Sequence, residues 1–245
     1  LDKTKVYLKD LKFFILKQKM IKKIISLGLP SALQMFFEVG IFTAAIWLSG
    51  TLGKNAQAAN QIALNLSSMT FMIATGLSVT AMIRVGNQKG LKRPIELRRI
   101  AKSIFAMGVI LATLFALIFL VFHQTLPTFY LDLNDMEHFM DNQNVIQIAA
   151  ELLLIAALFQ ISDSTQVVFL GALRGLQDVK IPTLITFIAY WIIGFPICYY
   201  LGAANRFGSV GIWIGLLAGL TASSIFLYFR FDYLSKQLIL KQSKP

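Results

Sequence analysis

Cysteine is nearly absent from this chain of 245 residues: the single Cys198 lies inside an apolar run. One thiol excludes an intrachain disulfide and a cysteine-built metal site. Histidine is almost as scarce. His123 and His138 stand without a second set of ligands beside them, so they read as solvated side chains rather than as a metal centre. Charge is thin as well, at 14% of residues against 56% hydrophobic, where a soluble domain carries about 25% charged residues. No H-E-x-x-H pair, no G-x-S-x-G elbow and no acid–base pair beside a nucleophile is present. The chemistry of an intramembrane enzyme therefore lacks its parts, and we expect no enzyme.

What is abundant is apolar sequence, gathered into six runs at about 28–50, 56–83, 103–122, 145–173, 181–201 and 208–228. Runs of about 20 residues or more match a hydrocarbon core of roughly 30 Å at 1.5 Å per helical residue. The expected fold is an all-α membrane protein with six transmembrane helices spread over residues 28–230. Net charge is +11, but the basic residues fall between the runs instead of forming one soluble face, which argues against nucleic acid. Of the 23 Lys and Arg, 21 fall on one side of such a bundle, leaving Lys54 and Arg206 on the other. By the positive-inside rule both termini are expected in the cytoplasm, N-in and C-in. Residues 1–27, with eight lysines among Leu, Ile and Phe, suit an amphipathic surface helix or a solvated basic connector. Residues 231–245 form a basic tail, and a basic loop is expected at 84–102.

Acids inside the runs are the chemically informative residues. Asp163 sits in the middle of the fourth run, where an aspartate costs roughly 2.5–3.5 kcal/mol and normally faces a protein interior or an ion path. The structural alternative is a hydrogen-bonded polar group satisfied by Gln160 and Gln166 at i−3 and i+3. Glu38 in the first run supplies a second acid. Counting from Gly28 and from Arg174, both acids stand ~15 Å above the inner boundary, near the midplane. Two carboxylates at one depth can share a proton or hold a monovalent cation. Phe71 reaches a similar level and could turn a ring face to a cation. Ser31, Gln34 and Glu38 share one helical face. Gln61, Asn65, Ser68, Met72 and Thr75 form a stripe on the second run, expected to face protein or a cavity. Glu151, six residues into the fourth run, should reach water. The third run is uncharged and reads as lipid-facing scaffold. Pro30 suits a helix start, Pro196 should kink or break the fifth helix, and Gly171, Gly175 and Gly194 are candidate bending points.

The segments GLPSALQMFFEVG, AANQIALNLSSMTFM, ISDSTQVVFLGALRGLQD and YWIIGFPICYYL resemble the second half of multidrug and toxic compound extrusion (MATE) transporters of the sodium-coupled bacterial branch. The resemblance covers nearly the whole chain. It implies one six-helix lobe of a twelve-helix, two-lobe transporter in a bacterial inner membrane. It further implies antiport of cationic or amphipathic drugs against Na⁺ or H⁺, with no other cofactor. Glu38 and Asp163 match acids of the coupling-ion site, and Phe71 matches an aromatic beside it that is Tyr in some members. Gln61 and Asp141 match positions near the outer part of a substrate cavity, to which Gln34, Asn65 and Gln166 are added as polar neighbours. A preceding six-helix lobe is the expected partner, either fused to this one or supplied separately. The alternatives are a lipid-linked oligosaccharide or polysaccharide flippase of the same superfamily, whose cavity should be lined with Lys or Arg, and a non-transporting membrane scaffold.

Overall fold

The computed structural model describes residues 18–132, 137–203 and 207–242. Among them, six helices are long and apolar enough to cross a membrane. They are α1 (Gln18–Thr51), α2 (Lys54–Gly90), α3 (Pro94–Phe122), α4 (Phe139–Gly175), α5 (Lys180–Gly202) and α6 (Gly208–Gln242). A short 3₁₀ turn, Leu126–Tyr130, follows α3. No strand occurs among the described residues.

Every helix except α5 runs well past its expected apolar limits, because a helix that leaves lipid can continue on polar residues. Most of the expected basic loop at 84–102 is therefore helical, and only Leu91–Arg93 turns the chain. Pro94 opens α3 at a position where its missing N–H costs nothing. The tail is helical through Gln242. Residues 18–27 of the expected connector belong to α1, and residues 1–17 lie outside the described residues. Pro30 consequently sits inside α1 rather than at its start. Its carbonyl accepts a hydrogen bond from Thr183 Oγ1 at 2.8 Å, which ties α1 to α5.

α4 is the central helix, packed against α2, α3 and α6. Its buried residues include Leu152, Leu153, Ala156, Ala157, Val168, Phe169, Ala172 and Leu173. The crossing with α2 is close: a Cβ on Gly171 would run into the Ser78 backbone, and one on Gly175 into the Met82 carbonyl. Ser78 Oγ donates to the Val167 carbonyl at 2.7 Å across the same contact. Small residues permit such approaches between membrane helices, so Gly171 and Gly175 are packing points here. α3 is two-sided. Leu97, Ala101, Ile104, Gly108, Ala112, Ala116 and Phe119 are buried, while Ile110, Leu114 and Val121 are exposed on the other face.

Pro196 neither breaks nor ends α5. Helical turns at Lys180–Phe187 and Phe195–Cys198 alternate with π-helical turns at Ile188–Gly194 and Tyr199–Ala203. The wider turns absorb the register disturbance that proline creates. This irregular helix packs on α6 and is the main neighbour of α1.

Candidate functional site

α1 packs chiefly against α5, with lesser contacts to α2 and α6, so a gap opens between α1 and α4 that side chains fill. Gln34 and Glu38 stand one turn apart on α1, and Gln34 Nε2 donates to Glu38 Oε2 at 2.9 Å. From α4, Gln166 Nε2 donates to Glu38 Oε1 at 3.2 Å. Each carboxylate oxygen of Glu38 thus has one amide donor. The network continues in both directions: Tyr190 Oη of α5 donates to Gln166 Oε1 at 2.6 Å, and Arg174 Nη2 donates to Gln34 Oε1 at 2.5 Å. Gln34, Gln166 and Tyr190 are all buried.

Asp163 lies on the same side of α4 and is buried. It lines a cavity of about 380 Å³ together with Glu38, Phe71, Gln61, Asn65, Ser67 and Ser68. Apolar side chains, among them Phe42, Leu64 and Phe159, complete the wall. Asp163 receives no hydrogen bond among the described residues, although it is near enough to Glu38 for the two to interact electrostatically. Ser67 Oγ is buried in the same wall without a partner. The cavity therefore offers carboxylate, amide and hydroxyl oxygens, the hard ligands that alkali cations prefer, and an apolar surface suited to an amphipathic molecule. No Lys or Arg among the described residues lines it.

On its other side Asp163 borders a much smaller pocket of about 20 Å³, shared with Phe71, Gln160 and Ser164 and bounded by Gly108 of α3. That volume admits about one water molecule. Both amide atoms of Gln160 are buried and unpartnered. Neither glutamine expected to satisfy Asp163 does so: Gln160 bonds to nothing described and Gln166 is engaged by Glu38 and Tyr190.

The sequence-derived residues divide accordingly. Glu38, Asp163, Phe71, Gln61 and Asn65 line one cavity, and Gln34 and Gln166 hold Glu38 from behind. Asn65 Oδ1 also accepts from Tyr130 Oη at 2.8 Å. Asp141 does not join them. It is clamped at the far end of the bundle by Lys54 Nζ at 2.6 Å and Asn55 Nδ2 at 3.0 Å, and it borders a separate open cavity of about 810 Å³ with Glu151 and Gln147. The polar stripe on α2 is exposed, with Met72 at 75% and Gln61, Asn65, Ser68 and Thr75 open as well, so none of the described residues covers it. Arg174 and Tyr190 are the residues that sequence reading missed. Arg174 counted as one more boundary charge, and no local pattern links either residue to Glu38, because those contacts join residues 24 to 140 positions apart.

Comparison with known proteins supports the same architecture. The chain is 40% identical to the multidrug resistance protein MdtK of Proteus mirabilis (strain HI4320) over 221 residues, which cover 89% of this chain and 46% of that protein. The MdtK of Yersinia pestis (strain Pestoides F) is 39% identical over 223 residues, covering 89% and 47%. Among solved structures, a MATE transporter in the bent conformation superimposes with a TM-score of 0.83 at 14% identity, covering 96% of this chain and 50% of the other. The eukaryotic MATE transporter AtDTX14 gives 0.76 at 19% identity, covering 90% and 49%. The chain spans about half the length of the curated relatives it matches. Residues 30–200 match the MatE family model, and the chain, a bundle of six membrane-crossing helices with a paired-acid cavity, belongs to the MatE family.

Proposed function

We propose that this chain is the C-terminal lobe of a multidrug efflux antiporter, in which Na⁺ or H⁺ taken up between Glu38 and Asp163 drives export of cationic or amphipathic compounds. The observation that carries the reading is the asymmetry of the two acids: they line one cavity, Glu38 with an amide on each oxygen and Asp163 without a donor among the described residues. A cation entering between them would relieve the repulsion of two close carboxylates. The ring of Phe71 would flank it. The second lobe would cover the exposed stripe on α2 and close the drug cavity. The lobe would sit in a bacterial inner membrane with both termini on the cytoplasmic side, a reading the distribution of Lys and Arg supports.

Coupling demands that ion and drug favour different states, since a ligand of equal affinity for two states shifts neither. In this lobe the gap between α1 and α4 is the place where that preference can act. The gap is bridged by side chains instead of backbone packing, so a change in the charge of Glu38 or Asp163 changes what holds α1. The flippase reading is not favoured, because a pyrophosphate would find no Lys or Arg among the described residues of the cavity wall.

The test is ethidium efflux from proteoliposomes holding this lobe with a preceding six-helix lobe, under a Na⁺ or a pH gradient. Efflux that follows one gradient and vanishes in Asp163→Asn supports the proposal. Efflux in that variant at the unsubstituted rate refutes it, and a folded pair of lobes with no gradient-driven efflux at all returns the scaffold reading.

A further inference from the structure

A second site stands at the opposite end of the cavity-bearing region, where the α2–α3 turn meets the last turns of α6. Four cations converge there on a pocket of about 350 Å³: Lys89, Lys92, Arg93 and Lys241, over a floor that includes Leu97 and Leu238. No acid lines it. The nearby carboxylates are already committed, Asp232 to Arg98 and Lys236, Asp178 to Arg230, and Glu96 to Arg99. Lys92, Arg93 and Lys241 make no ion pair among the described residues.

The pocket is built rather than accidental. Lys92 is held at φ +56, a conformation that lysine adopts rarely. Backbone bonds from Lys92 N to the Lys89 carbonyl and from Arg93 N to the Gln88 carbonyl, at 3.1 and 3.0 Å, pin the turn. Gln242 Nε2 donates to the Lys92 carbonyl at 2.9 Å and fastens the end of α6 to it. Lys89 Nζ is anchored on the Leu176 carbonyl at 2.5 Å, which fixes its charge at the rim.

What surrounds the cations identifies the ligand class. Leu91, Ile95 and Leu240, beside the pocket in sequence, are 60%, 62% and 63% exposed. A soluble anion gains nothing from such neighbours, whereas a lipid with two acyl chains does. The height agrees. Lys89 lies six residues past the end of the second apolar run, ~9 Å along the helix, close to the headgroup layer that widens a roughly 30 Å core to a 40–45 Å bilayer. Lysine and arginine stems reach back across the remainder. Basic pockets at helix ends are the usual form of an anionic headgroup site.

We propose that this pocket binds an anionic phospholipid, its phosphate among Lys92, Arg93 and Lys241 and its chains along Leu91 and Ile95. Occupied, it would brace α2, α3 and α6 against one another at the membrane surface, independently of the ion site. The test is retention of phosphatidylglycerol against phosphatidylcholine by the purified chain, measured by native mass spectrometry, with inorganic phosphate as competitor. Loss of two surface cations from an anionic membrane corresponds to roughly 30-fold weaker binding, the drop expected for the Arg93→Gln/Lys241→Gln double variant. The Arg84→Gln/Lys102→Gln variant, which loses the same charge elsewhere, should retain the lipid, and Leu91→Asn/Ile95→Asn should weaken it. Equal phosphatidylglycerol retention by the pocket variant, or by a folded chain that holds phosphatidylcholine as well, overturns the proposal. So does full displacement by inorganic phosphate at equal concentration, which marks a site for a soluble anion.

Discussion

Glu38 and Asp163 face the same cavity yet are treated oppositely by the fold. Glu38 has an amide on each oxygen, and those amides are themselves held by Arg174 and Tyr190. Asp163 has no donor among the described residues, and the glutamine one turn before it, Gln160, is unpaired there as well. A buried polar group left unmade costs about 1–3 kcal/mol, and a fold keeps such a cost chiefly where something from outside completes the site. The contrast makes Glu38 the fixed wall of the proposed ion site and Asp163 its open side.

The largest effect should come from the open side. Asp163→Asn is isosteric, so the chain should insert and fold normally while gradient-driven efflux falls more than a hundredfold; a residual response to the ion gradient would show that Glu38 suffices alone. On the held side, Gln166→Leu strips a donor from Glu38 and an acceptor from Tyr190. It should destabilise the bundle by about 1–3 kcal/mol, read as a lower melting temperature in detergent. Gln160→Leu supplies the paired experiment. It replaces a residue whose amide bonds to nothing described, so its melting temperature should stay within about 1 kcal/mol of the parent or rise. If the two substitutions cost the same, the asymmetry between the acids has no energetic content.

Arg174→Gln sharpens the comparison from another direction. A positive charge one residue removed from Glu38 opposes a bound cation, so its loss should strengthen activation by Na⁺ or H⁺ roughly three- to tenfold, at about 1.4 kcal/mol per decade. The smallest effect belongs to Lys54→Ala. Its ion pair with Asp141 is exposed, at 79% and 40% of the two side chains, and such pairs contribute little. Neither melting temperature nor efflux should change measurably.

How much of this was legible in the chain depended on the range of the cause. The apolar runs are local, and so all six crossings were found. That Glu38 and Asp163 stand at one level needs only residue counting along two helices, and both acids line one cavity. Helix ends lie beyond the apolar limits because a hydropathy limit marks where lipid stops, while the helix stops where its backbone does. Leu91–Arg93 turns the chain before Pro94, and Arg84, Lys89 and Lys102, expected in a loop, are all helical. Asp141, which the resemblance puts near the outer part of a substrate cavity, lies apart from the paired acids, bonded to Lys54 and Asn55 beside a separate open cavity. Arg174, Tyr190 and the close crossing at Gly171 depend on which helices become neighbours, and no spacing rule within one helix contains that information.

The most direct measurement follows the ion itself. Drug-dependent Na⁺ or proton flux, recorded with an ion-sensitive dye in vesicles holding both lobes, should be present in the unsubstituted protein and absent when either Glu38→Gln or Asp163→Asn is introduced. Undiminished flux in both variants would contradict the account, because the coupling ion would then pass without the pair of acids.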